Sequence, residues 1–216
     1  MQAGSGVSRD RPMCFRLAAG LYAVTEGAGM RTSTGLDCGE LLERSLGYAL
    51  GTVAGVEAGG LGCGTPCAEW DLGELLGHLD DSLDALYEGL TGGRTGLFPR
   101  ADRACGFRRR ACAVLGAWAA GPPESAPVGE RPLEVRVMAA VGAVEIAVHG
   151  WDVAQACGRP RPIPEALAAE LLPVARCVVG EADRGVRFGA PVAVPVGAGA
   201  EARLLAFLGR RGSLPG

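Results

Sequence analysis

Lysine and asparagine are missing from the chain, and all 21 basic residues are arginine. Without lysine there is no Schiff-base amine and no P-loop lysine, which removes two large enzyme classes before any motif is sought. The same bias suggests a GC-rich genome that avoids A-rich codons. Serine is scarce at seven, histidine falls to two, and no serine stands in a Gly-x-Ser-x-Gly frame. A nucleophile elbow is therefore lacking and a hydrolytic triad has few ways to assemble. Basic excess is absent as well: a net charge of -3 disfavours a nucleic-acid partner. No stretch reaches the ~20 uninterrupted apolar residues of a membrane span, because Arg, Asp, Glu or Pro breaks every apolar run, and no membrane association is expected. The eight cysteines are scattered without the spacing of a disulfide framework, and no segment joins a charged start, an apolar middle and a cleavage site. Reduced thiols and a cytoplasmic location are the expectation.

What is present is a chain of 216 residues, 48% apolar, long enough to bury one sizeable core. Residues 1–29 mix Gly, Ser, Arg and Pro and read as a disordered or misassigned N-terminal arm, with Met30 an alternative start; packing of a short arm on the domain is the competing reading. Residues 30–216 read as one helical domain. Apolar positions at helical spacing place a first helix over 37–56, ended by the Gly-rich run 59–64. Asp71 with Glu74 is a capping-box start for a second helix to about Leu90. A third covers 102–120 and closes at Gly121-Pro122-Pro123. The longest pattern, 133–157, stops at Gly158 ahead of Pro160. Pro164 opens a fifth helix through Val178, followed by an extended piece over 191–196 and a small helix over 201–208. No period-2 strand set is visible. The fold class is all-α, a helix bundle whose interior can hold ligands projecting from facing helices.

On the fourth helix Glu145 and His149 are four residues apart, one turn along a single face, so they can share a metal. His78 lies mid-way along the second helix among Leu75, Leu76 and Leu79 and can supply a third ligand. Two imidazoles and a carboxylate suit zinc, or a comparable nickel, cobalt, manganese or iron ion, and three protein ligands leave a fourth position open for substrate. Spacing alone also fits a histidine on an ordinary core or surface face.

The local wording goes further. The segment Thr65-Pro66-Cys67-Ala68-Glu69-Trp70-Asp71-Leu72 with His78, and Glu145-Ile146-Ala147-Val148-His149-Gly150-Trp151-Asp152, resemble the N-terminal family of mycothiol-dependent maleylpyruvate isomerases within the DinB-like superfamily. There, T-P-C-x-x-W-D precedes the helix bearing the first metal histidine and E-x-x-x-H-G-W-D carries the other two ligands. The likeness runs from about Asp37 to the end and includes Phe188-Gly189-Ala190-Pro191-Val192 and the closing Arg203-Leu204-Leu205-Ala206-Phe207-Leu208-Gly209-Arg210. It implies a DinB-like four-helix bundle with a short C-terminal extension, a metal held by His78, Glu145 and His149, and mycothiol or a related low-molecular-weight thiol as co-substrate. A metal in an open site holds a thiol as thiolate at neutral pH, and the thiolate attacks a small electrophile. Only about 60 residues follow Gly158, so the substantial C-terminal domain of the isomerase is lacking and maleylpyruvate is not assigned as substrate.

Asp152, three residues beyond His149, and Asp81, three beyond His78, can orient an imidazole or a substrate group; the alternative for each is a solvated helix face. Glu145 and Asp152 are the catalytic candidates. Trp70 and Trp151 read as packing anchors, Arg136 as a surface charge, Cys67 as structural, and Arg108–Arg110 as a solvated face rather than an anion patch. The Cys63/Cys67 spacing matches neither a zinc ribbon nor a redox pair. Three functions follow: a metal-dependent thiol S-transferase or thiol-assisted isomerase, with transfer preferred; a thiol-independent zinc hydrolase or isomerase; and a metal- or thiol-binding module without turnover. A monomer or homodimer is expected.

Overall fold

A helix that is apolar on every side belongs in the middle of a protein, and the segment after Glu134 takes that place. The computed structural model describes residues 37–67, 70–93, 103–128, 131–185 and 188–211. The expected N-terminal arm, Met30, Asp102 and the Ala68-Glu69 part of the loop motif lie outside them. The helices are α1 (Cys38–Val53), α2 (Leu72–Leu90), α3 (Arg103–Ala119), α4 (Val135–Ala156), α5 (Glu165–Val178) and α6 (Ala200–Phe207). Nearly every residue of α4 from Met138 to Ala154 is buried, and α1, α2 and α5 all pack on it, while α3 lies against α2 and α1. α4 is long and apolar enough to cross a membrane by composition alone, but 94% of its apolar window is buried inside the protein, as in a core helix.

The caps are written in the sequence. Asp37 accepts from the backbone N–H groups of Gly39 (2.9 Å) and Glu40 (3.2 Å) to start α1. Asp71 and Glu74 form the predicted capping box, with bonds of 2.8 and 3.0 Å. α4 ends where Gly158 takes φ 63°, and Arg159 N–H closes back on the Ala154 carbonyl at 3.1 Å, the pattern of a Schellman motif.

Small residues set the helix spacings. A Cβ on Gly150 would stand 3.2 Å from Ala49 Cα, so α1 and α4 approach closely beside His149. At Gly142 it would stand 2.8 Å from both δ-carbons of Leu86, which fixes α2 against α4.

Two regions depart from the periodicity. Ser125–Val128 and Arg131–Glu134 pair as an antiparallel hairpin where the sequence suggested a plain connection, so α4 starts at Val135 rather than Leu133. The hairpin was hidden by Pro127 and Pro132, which face each other in its register and weaken any strand signal. The expected extended piece over 191–196 forms no strand; it is a loop that returns to α6 through Val192 N–H on the Ala206 carbonyl at 2.9 Å. Cys38, Cys63, Cys67, Cys112, Cys157 and Cys177 are free thiols.

α6 is anchored at both ends. Glu165 accepts from Ala200 N–H at 2.5 Å and Glu201 from Ile163 N–H at 2.8 Å, tying its start to α5. At its other end Gly209 takes φ 78° and Arg210 N–H bonds the Leu205 carbonyl at 2.8 Å, a second Schellman closure. A Cβ on Gly209 would lie 2.6 Å from Gly189 Cα, so two glycine backbones meet there. Gly209→Ala therefore incurs left-handed strain and a backbone clash, and is expected to cost about 2–4 kcal/mol in denaturant melts. Gly197→Ala, at φ 87° with nothing within 4 Å, should cost only about 1 kcal/mol. Equal losses at the two positions would show that the glycine contact does not hold the tail.

Candidate metal centre

α2 and α4 bring the three predicted ligands together. Glu145 Oε1 lies 2.5 Å from His78 Nε2 and 3.3 Å from His149 Nε2, and the ligand atoms of all three residues fall within 4.8 Å of one another. Glu145 and His149 are buried, and the His78 side chain is 12% exposed. Burial favours a neutral Glu145, but the His149 and His78 imidazoles outweigh it and hold the carboxyl well below the usual carboxylate range. Burial likewise opposes charge on His149, yet Glu145, Asp152 and Cys67 together raise its pKa.

Asp152 explains how His149 is aimed. Its Oδ2 is 3.0 Å from His149 Nδ1. Burial would raise the Asp152 pKa, but the Arg210 guanidinium and His149 hold it at about 2. It is therefore a carboxylate that only accepts, His149 Nδ1 donates to it, and Nε2 is turned toward Glu145. This is the carboxylate–histidine arrangement that fixes the tautomer of metal ligands. Asp81 does not join the cluster of ligand atoms.

Arg210 grips Asp152 from behind: Nε is 2.9 Å from Oδ1 and Nη2 is 2.7 Å from Oδ2, with the arginine 8% and the aspartate 0% exposed. Sequence reasoning placed this residue in the closing segment of the resemblance but gave it no role. The signal was Gly209, because a left-handed glycine after a Leu-rich helix turns the next residue back onto the core.

Three further sequence readings are refined. Cys67 is not merely structural: its Sγ lies 3.3 Å from Asp152 Oδ2, 3.3 Å from Arg210 Nη2 and 3.7 Å from His149 Nδ1. Cys67, His149 and Asp152 also satisfy metal-ligand spacing, but the Arg210 guanidinium stands on two of those three groups and opposes a cation there. Trp70 packs against the core as expected and also covers the ligands: its ring is tilted against His78 at 4.5 Å and lies 5.9 Å from His149. It is aimed by Thr65, whose hydroxyl donates to the Trp70 carbonyl at 2.8 Å and accepts from Cys67 N–H at 3.1 Å. Arg108 and Arg109 are exposed as expected, whereas Arg110 is 1% exposed and pairs with Asp84 (2.9 Å) and Asp80 (3.4 Å) of α2. Trp151 is buried in the core, and Arg136 is exposed.

Two curated relatives are similar to this chain: the uncharacterized protein Rv0738 of Mycobacterium tuberculosis (strain ATCC 25618 / H37Rv) and the uncharacterized protein MT0763 of Mycobacterium tuberculosis (strain CDC 1551 / Oshkosh). Each is 31% identical over 143 residues, covering 62% of this chain and 74% of the relative. No family model matches the chain, and no solved structure matches it.

Removing one member of a buried ion pair leaves the other uncompensated at a cost of about 3–5 kcal/mol. Arg210→Met and Asp152→Asn should each destabilise the fold by about that much, and the double variant should recover most of the loss. Urea melts of the four proteins check this. Additive losses in the double variant would show that the pair is not coupled.

Proposed function

The chain belongs to the same family as these two mycobacterial proteins, and from that premise and the geometry of its site we propose that it is a metal-dependent enzyme. In this reading α1–α4 form a DinB-like four-helix bundle, and a divalent ion, zinc first, is held by His78, Glu145 and His149. The co-substrate is mycothiol or a related low-molecular-weight thiol, which is transferred to a small electrophile or assists its isomerisation, with transfer preferred. A monomer or homodimer in a reducing cytoplasm is the matching setting.

One observation carries the reading: the Nε2 atoms of two imidazoles from different helices converge on the same buried carboxylate oxygen. Two imidazoles and one carboxylate are the donor set of open zinc sites, and nickel, cobalt, manganese or iron would also accept it. The ion supplies one thing, a thiol held as its nucleophilic thiolate at neutral pH.

The chain's own residues do the rest. Asp152 Oδ2 accepts from His149 Nδ1, which directs Nε2 at the Glu145 side of the site, where an ion would sit. Arg210 fixes Asp152 in turn and balances its charge. The two imidazoles keep Glu145 an anion. Trp70 covers the two imidazoles and limits water on that side. Asp152 is on this account a positioning residue, as is Arg210.

Metal analysis and thioether assays test the proposal. His78→Ala, Glu145→Ala and His149→Ala should each bring bound metal well below one per chain. The parent protein should form thioether from mycothiol and a reactive electrophile only when metal is present, and a chelator should abolish it. Full metal occupancy in any of the three variants would remove that residue from the ligand set. Turnover at an unchanged rate without thiol would replace this reading with the thiol-independent hydrolase or isomerase.

A further inference from the structure

α6 is eight residues long, too short to persist in water unaided, so its neighbours must satisfy its ends. Glu165 and Glu201 do so at its start. At the other end two arginines cover the orphaned carbonyls. Arg210 Nη1 donates to the Leu208 carbonyl at 3.3 Å. Arg184, which follows the short turn Glu181–Asp183, donates through Nη1 to the Phe207 carbonyl at 2.7 Å and to the Gly189 carbonyl at 3.2 Å. Its Cζ stands over the Phe207 ring, 4.6 Å from the centroid. A cation at a helix C-terminus also complements the helix dipole.

We propose that Arg184 is a positioning residue for the metal centre, acting on His149 through the turn that places Arg210 on Asp152. The inference rests on the metal reading for what His149 does once aimed, and on hydrogen bonds alone for how it is aimed. The two carbonyls that Arg184 holds belong to the two backbones that meet at Gly189 and Gly209. Two apposed glycines have no side chains to keep them together, so a donor shared between their strands sets their separation. The turn at Gly209 carries Arg210, whose Nε and Nη2 reach Asp152 at 2.9 and 2.7 Å, and Asp152 Oδ2 lies 3.0 Å from His149 Nδ1. Bonds this short weaken steeply when donor and acceptor are misaligned, so a shift of the turn is felt at the imidazole. The loop that bears Arg184 closes without its guanidinium: Gly185 N–H bonds the Phe188 carbonyl at 2.8 Å and Phe188 N–H bonds the Asp183 carbonyl at 3.1 Å. What needs the guanidinium is the junction of that loop with the end of α6.

Hydrogen exchange followed by NMR on the nitrogen-labelled, metal-free protein reads this aim without any ion. The Nε–H of Arg210 and the Nδ1–H of His149, both bonded to Asp152, should exchange with water at least about tenfold faster in Arg184→Met than in the parent. That factor should exceed any change at the Leu83 amide of α2, which reports opening of the whole core. Arg184→Gln, which keeps one donor group, should fall between the two, so the outcome does not hang on one variant folding. Arg203→Met, which removes an exposed arginine of α6, should leave both side-chain protons at the parent rate. In the zinc-loaded protein Arg184→Met should raise the zinc Kd by about three- to tenfold, at or below the low end of the roughly 10- to 100-fold loss typical when a residue bonded directly to a ligand is removed. Exchange at both protons that stays at the parent rate, or rises only as much as at Leu83, overturns the inference and leaves Arg184 a local brace of the tail. Failure of the metal reading appears elsewhere, as a parent protein that binds no zinc, and leaves the exchange comparison standing.

Discussion

A carboxylate with no exposure to water cannot stand alone, and Asp152 is the point on which the centre depends. It accepts from His149 on one side and from the Arg210 fork on the other, with the Cys67 thiol against it. These contacts join three parts of the chain that are distant in sequence: the loop before α2, the face of α4, and the turn after α6, itself held against the Gly189 backbone. The dispersed motifs of the sequence are thus one structure. Thr65 and Cys67 shape the loop that presents Trp70, Gly150 admits α1 against α4 next to His149, and the Phe188-Gly189 and Gly209-Arg210 segments exist to deliver a cation to Asp152.

That arrangement separates two tasks within one ion cluster. Glu145, flanked by two imidazoles, faces the position where a metal and its ligand would sit. Asp152 faces away, toward Arg210, and its work is to hold His149 in one tautomer and one orientation. The guanidinium also decides between the two sets of donors that have metal-ligand spacing. It leaves the His78, Glu145 and His149 set clear and places positive charge on the set containing Cys67.

Much of this was legible before any coordinates, and for physical reasons. The helices carry their period in leucine and alanine, and Asp71, Glu74 and Gly158 announce the boundaries because a cap must satisfy orphaned backbone groups. His78, Glu145 and His149 were singled out by the resemblance of the wording around them, since a spacing of four fixes one face but fits an ordinary histidine as well. Arg210 was not, since a lone arginine near the end of a chain looks like a solvated residue and its partner lies 58 positions away. Arg110 was masked by its exposed neighbours Arg108 and Arg109, and the second role of Trp70, over the imidazoles, by the general rule that tryptophan anchors cores. In each case the local pattern was ordinary and the partner came from another element, which periodicity does not encode.

The central claim is the identity of the donor set, and X-ray absorption at the metal edge reads it directly. In the zinc-loaded protein without thiol the first shell should contain two imidazoles and light oxygen or nitrogen atoms, with no sulfur. Adding mycothiol should introduce one sulfur at about 2.3 Å, the length of a zinc–thiolate bond. A sulfur scatterer already present in the thiol-free protein would put Cys67 on the metal, and a shell with fewer than two imidazoles would remove His78 or His149; either result contradicts the account.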